Sequence, residues 1–117
     1  MTNPIALVIE DDPQLNRIFS LTLNEDFTTE TFTNGQDALQ RLSEITPHLI
    51  ILDLNLPGVQ GNEILAHIRS DARLKKVTVI LATADHRQAD SLQDQADFIL
   101  LKPVSPIQLK QIASRVK

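Results

Sequence analysis

The chain has 117 residues, a formal net charge of −4, no cysteine, and four phenylalanines as its only aromatic residues. That length suits one domain with an aliphatic core, and the composition excludes disulfides, thiolate ligands and a thiol nucleophile. The acidic balance argues against nucleic acid as a direct partner, because neutralising phosphates takes a basic surface.

Met1 to Asn3 lacks the basic start and apolar run of a signal peptide, and the longest unbroken apolar run is only Ile5 to Ile9. No membrane insertion is expected, and the lack of thiols suits a reducing, cytoplasmic setting. Ile5 to Ile9 reads as a first buried strand ending in Glu10-Asp11-Asp12. Asp12 is placed to cap a helix whose first residue is Pro13. Leu15, Ile18, Phe19 and Thr22 are expected on that helix's inner face, and the pattern stops near Asn24. Phe27 to Phe32 is a second, more exposed strand. Asn34 caps a second helix with Ala38, Leu39, Leu42 and Ile45 on its stripe, closed by Thr46-Pro47.

His48 to Gly61 reads H-L-I-I-L-D-L-N-L-P-G-V-Q-G. Leu49 to Leu52 lack polar alternation, as expected of a strand buried on both faces, and Asp53 stands where that strand ends. Pro57-Gly58 signals a type II turn, and Gly61 opens a helix to about Ser70 with Ile64, Leu65 and Ile68 inward. Arg69, Arg73, Lys75 and Lys76 read as the solvated end of that helix and its loop. Val77 to Ala82 is a fourth strand running into Thr83-Ala84-Asp85. Asp85 to Gln95 is polar, with only Ala89 and Leu92 at helical spacing, so any helix there is short and poorly anchored. Phe98 to Leu101 is a fifth strand leading to Lys102-Pro103. Ser105 then caps a last helix with Leu109, Ile112, Ala113 and Val116 on one face.

Strands and helices alternate five times without repeats or a linker, which predicts one α/β domain over residues 1–117. Its architecture is a doubly wound five-stranded parallel sheet with helices on both faces. Parallel strands deliver their carboxyl ends to one edge, and there the polar residues converge: Glu10 and Asp11, Asp53, Thr83 and Lys102. Three carboxylates so close cannot all ionise cheaply without a cation, and Mg²⁺, a hard ion that accepts a phosphate ligand, resolves the conflict. With Lys102 as a point charge and Thr83 as a hydroxyl donor, the arrangement suits phosphoryl transfer onto Asp53.

Four motifs in order, A-L-V-I-E-D-D-P, P-H-L-I-I-L-D-L-N-L-P-G, I-L-A-T-A and A-D-F-I-L-L-K-P, resemble the receiver domains of two-component response regulators. The resemblance spans nearly the whole chain and implies the flavodoxin-like strand order 2-1-3-4-5. It also implies a phosphoacceptor at Asp53, an acidic pair of Glu10 and Asp11 with Asp11 the direct Mg²⁺ ligand, and a metal contact from the Asn55 backbone carbonyl. Thr83 and Lys102 would contact phosphoryl oxygens, and Lys102-Pro103 would be a cis peptide. The implied partner is a sensor histidine kinase or histidine phosphotransfer protein, with an output partner that the sequence does not name. On that basis the domain catalyses only its own phosphorylation and dephosphorylation, and Asp85 influences the water that attacks the acyl phosphate.

The position where many receivers carry Tyr or Phe is Ile99, and the interval from Thr83 to Lys102 is short for the family. Both departures point to an altered output face around the fourth helix and fifth strand. An interaction module whose output does not depend on phosphate is the alternative, although such modules usually lose the acids or the lysine present here. An aspartyl-phosphate phosphatase would need a second acid at Asn55 and a cap domain. His48, His67 and His86 share no ligand spacing for zinc; His67 is expected on a solvated helix, and His86 is near enough to Thr83 to line the rim.

Overall fold

The computed structural model describes residues 3–116. Strands β1 (Ile5–Ile9), β2 (Thr28–Phe32), β3 (Leu49–Asp53), β4 (Thr78–Thr83) and β5 (Phe98–Leu101) alternate with α1 (Pro13–Leu23), α2 (Gly35–Leu42), α3 (Gly61–Ser70), α4 (His86–Ser91) and α5 (Pro106–Ser114). All strand pairs are parallel, and the order across the sheet is β2-β1-β3-β4-β5. That is the expected doubly wound arrangement. β3 is buried along its whole length at the centre, which its unalternated run anticipates. β2 lies at one edge and is only partly covered.

The two faces of the sheet form separate cores. Leu7, Ile9, Ile50, Leu52, Val79 and Leu81 point to the side covered by α2 and α3, where Ala38, Leu42, Ile64, Leu65 and Ile68 meet them. Ala6, Val8, Ile51, Ile80 and Ala82 point to the side covered by α1 and α5, against Phe19, Leu23, Leu109 and Ala113. Period-two alternation thus feeds both layers from the same strands.

The caps fall where the sequence puts them. Asp12 Oδ1 accepts from the amides of Gln14 and Leu15, Asn34 Oδ1 from Asp37, and Ser105 Oγ from Gln108. Gly58 takes a φ of +73°, as the turn after Pro57 requires, and Lys102-Pro103 is cis. The α4 segment is short, as its weak pattern suggests, and Ala89 is its buried residue.

Two expectations need correction. The inner face of α1 carries Asn16, Phe19 and Leu23, whereas Ile18 is 41% exposed. The helix is turned so that a polar residue, not Ile18, faces the sheet. Arg69 and Arg73 are also not merely solvated. Arg69 donates to the carbonyls of Gln95, Lys75 and Val77 and pairs with Asp97 at 2.9 Å. Arg73 donates to the carbonyls of Leu42 and Ile45 and to Thr46 Oγ1. Both guanidiniums tie loops together at the amino edge of the sheet; Lys75 and Lys76 are exposed, as expected.

Candidate functional site at the carboxyl edge of the sheet

β1, β3 and β4 end side by side, so the residues that follow their apolar runs become neighbours. In the register, Ile9 lies beside Leu52 and Asp53 beside Ala82, which sets Glu10, Asp53 and Thr83 at successive strand ends. Asp53 is buried, at 2% exposure, and its Oδ1 accepts the backbone amide of Asn55 at 3.0 Å. Lys102 reaches over from the end of β5, its backbone amide fixed to the carbonyl of Thr83. Its Nζ lies 2.9 Å from Glu10 Oε1 and 3.4 Å from Asp53 Oδ1.

Carboxylate oxygens of Glu10, Asp11 and Asp53 all come within 4.8 Å of one another. Glu10 and Asp53 are buried while Asp11 is exposed, so the cluster opens toward solvent on the Asp11 side. The electrostatics follow from this crowding. Burial first, and then a hydrogen bond with Asp53, pushes the Glu10 carboxyl up from its ordinary 4.5 to about 7, against the opposing pull of Lys102. Burial works to lower Lys102, but its hydrogen bond to Glu10 and the charges of Asp53 and Glu10 outweigh that and hold the ammonium above its ordinary value. One lysine therefore serves two acids, with a third acid beside them.

These residues fit a hard divalent cation. The donor set is all oxygen, and two of its three carboxylates, Glu10 and Asp53, are buried with a single ammonium between them. Thr83 is fully buried, and its Oγ1 accepts the amide of Asp85 at 3.0 Å. Asn55 is exposed, two residues beyond Asp53, and shares a cavity of about 560 Å³ with Ala84, Asp85, His86 and Arg87. His86 thus reaches the rim, and His67 is exposed on α3 as expected. The Asp85 carboxylate accepts the amides of Arg87 and Gln88 at the start of α4.

Sequence reasoning missed two supports of the site. A Cβ on Gly61 would lie 2.3 Å from the Asp53 carbonyl oxygen and 2.5 Å from Leu54 Cα, so only glycine lets the start of α3 press on the Asp53–Leu54 peptide. Asn16 donates from Nδ2 to the carbonyls of Glu10 and Phe32. Its one signal in the sequence is a polar residue three before Phe19 and seven before Leu23, on the stripe that turns inward.

Comparison with known proteins agrees with the geometry. The family described as "Response regulator receiver domain" matches residues 6–114. The chain is 33% identical over 115 residues to the DNA-binding response regulator MtrA of Mycolicibacterium smegmatis, covering 95% of this chain and 48% of that protein. It is 30% identical over 109 residues to hybrid signal transduction histidine kinase D of Dictyostelium discoideum, covering 91% of this chain and 7% of that protein. It therefore spans about half the length of the first and a small part of the second. Among solved structures, the BeF3-activated DrrB receiver domain superposes with a TM-score of 0.88 at 27% identity, covering 98% of this chain and 97% of that one. The chemotaxis response regulator CheY4 of Vibrio cholerae shares the fold, with a TM-score of 0.89 at 24% identity over 99% of this chain and 100% of that one. Strand order, the acidic cluster at the carboxyl edge and the family match converge: this chain belongs to the receiver domains of two-component response regulators, switches that signal through phosphorylation rather than conventional enzymes.

Proposed function

We propose that this receiver takes a phosphoryl group on Asp53 from the phosphohistidine of a sensor kinase or phosphotransfer protein. A carboxylate oxygen of Asp53 attacks the phosphorus in line, the P–N bond breaks, and the imidazole leaves with its electron pair. The Lys102 ammonium, 3.4 Å from Asp53 Oδ1, neutralises charge gathering on the transferred group, and the Thr83 hydroxyl donates to another of its oxygens. Glu10, Asp11, Asp53 and the backbone carbonyl of Asn55 would hold Mg²⁺, which supplies charge neutralisation and a fixed geometry for the phosphoryl oxygens. Attack by water on phosphorus later releases inorganic phosphate and restores the carboxylate.

The observation that carries this reading is one buried carboxylate set among two further acids and one lysine at the mouth of the central strand. Output is assigned to the face formed by α4, β5 and α5. A cavity of about 430 Å³ lies there, lined by His86, Ala89, Ile99 and Leu101 among others, and α4 has little to anchor it. Ile99 is half-buried against the core that holds Leu81, so signalling on this face relies on repacking and on the order of α4, not on an aromatic hydroxyl.

Among the described residues no helix is long and apolar enough to cross a membrane. Relatives include regulators described as DNA-binding, so the acidic balance of these 117 residues does not exclude nucleic acid from the pathway they serve.

Labelling with a small phosphodonor tests the assignment. Wild type is expected to take up one phosphoryl group per chain only with Mg²⁺ present, and Asp53→Ala none. Equal labelling of Asp53→Ala would reject Asp53 as the acceptor.

A further inference from the structure

The Asn16 side chain is buried at 7% exposure on the inner face of α1, where Phe19 and Leu23 are its apolar companions. A leucine there would pack without any polar group to satisfy, so the amide needs another reason. Its two Nδ2 protons go to the carbonyl oxygens of Glu10 and Phe32, each at 3.0 Å. Both acceptors lack protons, so chemistry alone fixes which end of the amide faces them.

The Phe32 carbonyl also accepts the Glu10 amide at 3.0 Å, which closes the ladder between β1 and β2. The Glu10 carbonyl lies one step further on, in the peptide that joins Glu10 to Asp11. Asn16 therefore holds the plane of the Glu10–Asp11 peptide, in the turn that leads into α1, and hence where the Asp11 side chain departs. A second tie, from the Asp12 amide to Glu10 Oε2 at 3.2 Å, holds the same turn from the other side. Three carboxylates within 4.8 Å repel one another when no cation is bound, and that repulsion pushes the turn outward.

We propose that Asn16 is a positioning residue for the acidic pair, holding the Glu10–Asp11 peptide in its cation-binding geometry against the repulsion of the carboxylates. The inference rests on the reading that Glu10, Asp11 and Asp53 hold Mg²⁺. Groups that orient metal ligands from behind typically contribute about tenfold or more to affinity, and Asn16 stands in that relation to Asp11.

The test is Mg²⁺ titration of the full chain, with binding read directly by calorimetry and folding by circular dichroism at a temperature well below every melting transition. Asn16→Leu keeps the volume and removes both donors; Asn16→Ser keeps one donor on a shorter arm. Affinity is expected to fall about tenfold in Asn16→Leu and by less in Asn16→Ser, with both variants folded. Affinities within twofold of wild type, whatever happens to the melting temperatures, would overturn the proposal and leave Asn16 a purely structural residue. Failure of wild type to bind Mg²⁺ would instead overturn the reading beneath it. If neither variant folds, the Asn16 side-chain amide resonances of wild type decide: they are expected to move with the same midpoint as the Asp11 backbone amide, and stationary resonances would overturn the proposal.

Discussion

Glu10 concentrates the electrostatics of the site in one residue. Its carboxyl is pushed up to about 7 because burial disfavours the anion and Asp53 beside it favours the protonated form, against the pull of Lys102. The folded chain therefore binds more protons than the unfolded chain between pH 4.5 and 7. The stability Glu10 contributes is fully present below its unfolded value of 4.5 and is lost as pH rises through 7. A bound cation favours the ionised acid, so binding releases a proton and strengthens across the same window. The expected outcome is a melting temperature that falls from pH 5 to pH 8 without Mg²⁺, and a gain from saturating Mg²⁺ that is larger at pH 8 than at pH 5.5. Glu10→Gln should flatten the metal-free profile. Thermal melts over that range with and without the ion check both statements, and an Mg²⁺ gain independent of pH would contradict them.

At the scale of the element, α4 is the least secured part of the fold. It has six residues, Ala89 is its buried one, and its first amides are held by the Asp85 carboxylate at 2.9 and 3.3 Å. An isolated helix this short is unstable in water, so a cap contributing about 1 kcal/mol is a large share of its local stability. Asp85→Ala is expected to speed amide exchange across His86 to Ser91 while leaving α1 and α5 unchanged, and Asp85→Asn, which keeps an accepting oxygen, should largely preserve the protection. The cap is coupled to the site, because the Asp85 amide donates to Thr83 Oγ1, the hydroxyl assigned to the phosphoryl group. Hydrogen exchange with and without beryllofluoride should therefore differ over Asp85 to Gln95, and identical protection would argue against output through α4. Much of this element was legible beforehand: a polar stretch with two apolar residues at helical spacing cannot anchor a long helix. The inner face of α1 was less legible. Polarity alone sends Ile18 inward and Asn16 outward, and two hydrogen bonds, to the carbonyls of Glu10 just past β1 and of Phe32 on β2, reverse that choice. The carboxyl-edge residues were legible because each directly follows an apolar run, and parallel strands bring such positions together. Arg69 and Arg73 were not, since a sequence shows their charge but not the carbonyls 26 and 31 residues away that they reach.

Across the whole molecule, the two edges of the sheet divide the work. The carboxyl edge gathers three acids around one lysine, and it holds charge that burial makes costly. The amino edge is closed by guanidiniums. Arg69, three-quarters or more covered along its side chain, joins the end of α3 to the loop before β4 and to the approach to β5. Its partner oxygen, Asp97 Oδ2, also accepts the Val79 amide at 2.8 Å, so one ion pair locks the entry of two neighbouring strands. A partly exposed ion pair alone is worth little, but here the same guanidinium also satisfies three backbone carbonyls. Arg69→Met, which keeps the apolar stem and removes the donors, is expected to lower unfolding stability by about 1–3 kcal/mol. Because Arg69 sits at the opposite end of the strands from Asp53, Mg²⁺ affinity of the folded variant should stay within twofold of wild type. Urea unfolding and metal titration on the same protein measure the two quantities separately. A variant that loses Mg²⁺ affinity as strongly as it loses stability would show that the two edges are mechanically coupled, and a variant with unchanged stability would show that the guanidinium contacts contribute nothing to holding β4 and β5 in place.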